Sequence, residues 1–137
     1  MVRKLALAAA VVVLSGLGSQ CRADTELRRV VPRDDETVVG RAALWKNNSG
    51  QCSMIGTPDM EIITQPSHGS ARIVPASFAV SEGGCVNQVY GLVVLYRPAS
   101  GFVGEDRFTY SLARDAMTQN WVSKIPPGLR NLILTVR

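Results

Sequence analysis

The chain has one histidine, His68, among its 137 residues, only three cysteines and two tryptophans, and 19% charged side chains. Each scarcity removes some chemistry. With a single imidazole, histidine-dependent catalysis would have to run through His68. Its neighbour Ser67 is adjacent only in sequence, and a working triad needs a base oriented by a third group. A metal cage built from His68 and two well-separated cysteines lacks the close ligand spacing of zinc sites. The only acidic run is Asp34-Asp35-Glu36, read as a solvated turn and too poor in converging oxygens for a calcium site. Glu105 and Asp106 are neighbours on a strand-like segment, so they point to opposite faces and cannot share a proton. There is no Gly-rich phosphate loop before a helix and no nucleophile elbow. No enzyme activity, metal or cofactor is expected.

A membrane-spanning helix needs about 20 apolar residues. The apolar run over residues 5–18, broken only by Ser15, is shorter. It follows Arg3 and Lys4 and precedes Ser19-Gln20-Cys21-Arg22-Ala23, the layout of a secretory signal. Cleavage after Ala23 is expected, giving a mature chain that begins at Asp24. Two alternatives stay open, an uncleaved N-terminal anchor and a lipoprotein acylated on Cys21. For the second, bulky Gln20 stands where a small side chain is usual. The formal charge is +4, but Arg3, Lys4 and Arg22 precede Asp24, which leaves the mature chain at +1. No clustered basic stretch remains, so no nucleic-acid partner is expected.

Removing the leader leaves Cys52 and Cys85, an even pair in a chain bound for an oxidising compartment. They are expected to form a disulfide, which would stabilise the fold by about 3–4 kcal/mol on the chain-entropy model.

The mature segment reads as short β-prone runs separated by turn chemistry. The runs cover residues 25–31, 37–45, 60–64, 70–74, 89–97, 107–113 and 129–136. Residues 46–50 read as a loop, and 76–87 as loop-like with a short strand option over 78–80. In residues 107–112, Phe108, Tyr110 and Leu112 alternate with polar residues, the period-2 signature of a half-buried strand. Leu132, Leu134 and Val136 form a similar face, while residues 89–95 are apolar enough for a strand covered on both sides. About seven strands and no convincing helical stripe argue for a sandwich or barrel.

One segment, Tyr96-Arg97-Pro98-Ala99-Ser100-Gly101-Phe102-Val103-Gly104-Glu105-Asp106-Arg107-Phe108-Thr109-Tyr110, has a distinctive pattern. Pro98 ends a strand because it has no N–H to donate. Gly101 and Gly104 give backbone freedom around Phe102, which is expected to plug one end of the core. Asp106 is placed to accept hydrogen bonds from loop amides. The pattern resembles the second half of bacterial cadherin-like and immunoglobulin-like repeat domains, with Gln65-Pro66-Ser67-His68-Gly69 similar to their Pro-x-His-Gly turn. The resemblance spans residues 59–137. It implies an immunoglobulin-like Greek-key sandwich, although such domains usually occur in tandem and this chain carries one copy, without their Asp-x-Asn-Asp-Asn calcium linker.

The function this implies is a non-catalytic, exported interaction or structural module in the periplasm or at the cell surface. Its partner would be another protein or a cell-envelope component. A small periplasmic inhibitor of a cell-wall hydrolase is the alternative. The long interval over residues 117–128, with Trp121, Pro126 and Pro127, is the expected binding loop. Trp45 is expected in core or strand-end packing. Asn47-Asn48-Ser49 matches a glycosylation acceptor, relevant only in a eukaryotic secretory pathway.

Cys52→Ser is expected to lower the melting temperature markedly under non-reducing conditions. An unchanged Tm would remove the disulfide from the stability account.

Overall fold

The computed structural model describes residues 24–48, 51–81, 87–113 and 128–137. The expected signal sequence with Cys21, Cys85, and the loop carrying Trp121, Pro126 and Pro127 lie outside the described residues. Among the described residues every regular element is a strand. They are β1 (Thr25–Val31), β2 (Thr37–Ala42), β3 (Leu44–Asn48), β4 (Gln51–Gly56), β5 (Asp59–Thr64), β6 (Gly69–Val80), β7 (Asn87–Pro98), β8 (Gly104–Ala113) and β9 (Gly128–Val136). No helix among them is long and apolar enough to cross a membrane.

The strands pair into two main sheets and a hairpin, with orders β1-β9-β8-β5, β2-β7-β6 and β3-β4. β1 runs parallel to β9, from Thr25↔Arg130 to Val31↔Val136, whereas the other pairings are antiparallel. The first sheet is therefore mixed. The chain stays within one sheet from β6 to β7 and from β8 to β9, and changes sheet from β1 to β2, β5 to β6 and β7 to β8.

Alternation places the core. Phe108 and Tyr110 of β8 are buried with Leu132, Leu134 and Val136 of β9 in one cluster, which also takes Val31 of β1, Val39 of β2, Ala71 of β6 and Val94 and Tyr96 of β7. Both main sheets thus enclose the same core, a sandwich-like arrangement. Full burial of side chains of this size contributes about 1.5–3 kcal/mol each. The rings of Tyr96 and Phe108 lie 6.2 Å apart and nearly parallel, and those of Phe108 and Tyr110 6.3 Å apart and tilted. Both separations fall in the favourable range for aromatic pairs.

Among the described residues nine strands stand where about seven were expected in the mature chain, and the differences have physical reasons. Residues 46–48 are not loop but the end of β3, with Asn47↔Cys52 and Asn48↔Gln51 in register. Cross-strand pairing there overrides the preference of Asn for local backbone bonds. Residues 76–80 of the expected 76–87 loop are strand instead, because β6 runs on through Pro75 to Val80. β6 is an edge strand, which is where a residue without an N–H is tolerated. Exposure still alternates along its length, with Ala76, Phe78 and Val80 half-buried. β7 is central in its sheet and has no exposed residue from Gly91 to Tyr96, but Tyr90 is 52% exposed, so cover on both faces is incomplete.

Candidate functional site

The residues of the Tyr96–Tyr110 segment meet at one end of the sandwich, around a buried carboxylate. Asp106, on β8, is 2% exposed. Its Oδ1 accepts from the backbone N–H groups of Ser67 (3.0 Å) and Arg107 (2.9 Å). Its Oδ2 accepts from the His68 N–H (3.1 Å) and the Tyr96 hydroxyl (2.8 Å). A charge can be buried only when it is paired or fully hydrogen-bonded, and four donors from three chain segments meet that condition here.

The same end is braced twice more. The Ala99 N–H donates to the His68 carbonyl at 2.7 Å. The Gln65 side-chain amide imitates a strand neighbour for Ala71, donating to its carbonyl and accepting from its N–H, both at 3.0 Å. Gly101 and Gly104 carry φ of 73° and 138°, backbone that side-chain-bearing residues rarely adopt. The Phe102 N–H closes the turn onto the Ala99 carbonyl at 3.0 Å. Phe102 is half-buried rather than a fully buried plug. It packs on the core cluster from outside and stacks on the His68 ring, with centroids 4.3 Å apart and planes 5° apart.

This geometry sets what Ser67, His68 and Asp106 can do. The carboxylate holds the backbone of Ser67 and His68, while the imidazole lies flat on Phe102, so the carboxylate does not orient the imidazole. Glu105 turns to the opposite face, where Arg107 bonds it at 2.6 Å. In the acidic run, Asp34 and Asp35 are exposed, but Glu36 is not simply solvated. Two hydrogen bonds from Arg72, at 2.6 and 3.0 Å, hold its carboxyl below the usual range, with the Arg97 charge adding at 3.9 Å. Among the described residues no group of three or more His, Cys, Asp or Glu is placed to hold a metal ion.

Cys52 is half-buried in β4 and disulfide-bonded. Its expected partner, Cys85, lies outside the described residues, as does the expected binding loop with Trp121, Pro126 and Pro127. Trp45 is half-buried and lines a small cleft of about 100 Å³ beside Phe78.

A second cluster was not anticipated. Along the seam between edge strands β1 and β2, a pocket of about 600 Å³ is lined by Arg29, Arg41, Arg130 and Tyr110, with Leu27, Val38 and Val39 as its apolar wall. These arginines lie far apart in sequence, and a net charge of +1 conceals their convergence.

Comparison with family models, curated proteins and solved structures finds no match.

The Asp106 junction makes a quantitative prediction. Tyr96→Phe removes one hydrogen bond to a charged group, at a cost of about 1.5–3 kcal/mol. Asp106→Asn turns one acceptor oxygen into a donor facing donors and forfeits two such bonds, about 3–6 kcal/mol. Burial, together with the Asp106 hydrogen bond and charge, raises the Tyr96 phenol above its usual pKa. A raised folded-state value adds stability that is complete below about pH 10, the unfolded value, and is lost as pH rises beyond it. In urea titrations the alkaline loss should be shallower in Tyr96→Phe than in the parent. Parallel alkaline limbs would contradict the assignment.

Proposed function

We propose that this chain is an exported, non-catalytic interaction or structural module of the bacterial periplasm or cell surface, built on an immunoglobulin-like Greek-key sandwich. The observation that carries the reading is the use made of the Tyr96–Tyr110 segment. Its polar side chains are engaged in holding the fold: Asp106 with loop amides and Tyr96, His68 against Phe102. Groups committed in this way have no free role as acid, base or nucleophile.

The strand order is a second support. Two sheets, ordered β1-β9-β8-β5 and β2-β7-β6, close on one core and so support an all-β sandwich, while the Greek-key immunoglobulin-like part of the proposal rests on the sequence resemblance to cadherin-like and immunoglobulin-like repeats. The proposed mature chain starts at Asp24, one residue before β1, so cleavage after Ala23 leaves every described strand intact. A Cys52–Cys85 disulfide would fit an oxidising compartment. From fold to binding the step is analogy, since one fold serves many functions. The proposed partner is another protein or a component of the cell envelope.

Intact mass of the protein from its host envelope fraction, with and without reductant, tests the proposal. The expected species begins at Asp24 and is two hydrogens lighter than its reduced form. A full-length chain with free thiols, recovered from the cytoplasm, would overturn it.

A further inference from the structure

Two arginines occupy core-side positions of their strands, Arg130 buried and Arg29 exposed at the β1 edge. On β1, Leu27 packs against the core and Val31 belongs to it, and strand periodicity puts Arg29, midway between them, on the same inward face. On β9, Arg130 shares a face with Leu132, Leu134 and Val136 and is 5% exposed. Tyr110 lies directly opposite Arg130 in the β8–β9 ladder. Burial raises the Tyr110 phenol, while the charges of Arg130 and Arg29 pull it back down, so both guanidiniums act on the same ring.

These groups face the β1–β2 seam instead of being sealed in. The pocket there, about 600 Å³, has Arg29, Arg130, Arg41 and Tyr110 in its lining. Arg41 also keeps its guanidinium carbon 5.3 Å from the Phe78 ring centre. Local backbone shape opens the space. β2 skips a residue in its pairing between Val38 and Gly40, which turns Val39 into the core and leaves Val38 54% exposed. A Cβ on Gly40 would sit 2.7 Å from the Tyr110 hydroxyl, so only glycine leaves room for the phenol at the pocket.

We infer that this seam pocket binds the oxyanion group of a small organic anion, a carboxylate or phosphate carried on a short apolar body. The guanidinium fork matches the planar or tetrahedral array of oxygens in such groups. The Tyr110 hydroxyl can donate to the same group, and Leu27, Val38 and Val39 cover the apolar part. The volume is that of a small-molecule site. The site stands on these residues alone and goes beyond the proposed function, whichever compartment holds the protein.

The test is a ¹H–¹⁵N NMR titration of the purified protein with benzoate, phenyl phosphate and the neutral benzyl alcohol. Benzoate or phenyl phosphate is expected to shift the amides of Arg29, Gly40, Arg41, Tyr110 and Arg130, and benzyl alcohol to shift none of them. The tighter of the two anions identifies the preferred oxyanion. Arg29→Gln should weaken that binding by about tenfold or more, in line with loss of a charge-assisted bond. Arg28→Gln, on the opposite face of the same strand and paired with Glu26, should change it by less than about twofold, since exposed pairs contribute little. The spectra of both variants report whether they are folded. Shifts spread over the surface, equal effects of the two substitutions, or equal binding of benzyl alcohol would overturn the inference. Inward arginines would then serve only to guard the β1 edge against pairing with another chain.

Discussion

The structure depends on one buried carboxylate. Asp106 belongs to β8 in the first sheet, and its donors come from the β5–β6 connection, from the end of β7 in the second sheet, and from its own strand. One side chain therefore joins both sheets and one of the loops that passes between them. Hydrogen bonds to a charged group are worth more than neutral ones. The opposing cost is also large, since a buried charge left short of donors is strongly destabilising. The two facts together make the junction close to all-or-none. The chain must place Ser67, His68 and Tyr96 together or leave Asp106 unsatisfied, and this selects one arrangement of the sheets at that end.

The seam between β1 and β2 is built on the opposite principle. At the Asp106 end, polar groups are matched donor to acceptor and an aromatic pair lies across the rim. At the seam, edge strands of the two sheets stand apart, the β2 ladder skips a residue, and positive side chains converge in the pocket lining. β1 is held there by its parallel pairing with β9 and by the Arg137 N–H, which donates to the Val31 carbonyl at 3.1 Å. A sandwich closed by matched hydrogen bonds at one place can carry concentrated like charge at another, because each costs or contributes locally.

Much of this was legible in the sequence wherever the signal was local. Alternation marked the inward faces of β8 and β9. The Pro98, Gly101 and Gly104 punctuation marked the turn, and Asp106 was recognisable as an acceptor for loop amides. The limits were equally physical. Pro75 reads as a strand breaker unless β6 is known to be an edge. Asn47 and Asn48 read as loop until their partners across the hairpin are known. Phe102 looked like a plug because its flanking glycines show a bend, but only packing reveals that His68 covers its face. The arginine pocket was illegible, since Arg29, Arg41 and Arg130 come from three strands that only the β1–β9 pairing and the facing of β2 bring together. A net charge counts them without locating them.

The central claim, that Asp106 locks the β5–β6 connection to the β7–β8 end, is tested most directly by native-state amide hydrogen exchange. Ser67 and His68 are exposed residues in a connection between strands, and such amides ordinarily exchange fast. With their N–H groups bound to the buried carboxylate, they should instead be protected to nearly the level of Leu132 and Leu134 in the core. If they exchange like open loop amides while Leu132 and Leu134 stay protected, the Asp106 junction is not what holds the two sheets together.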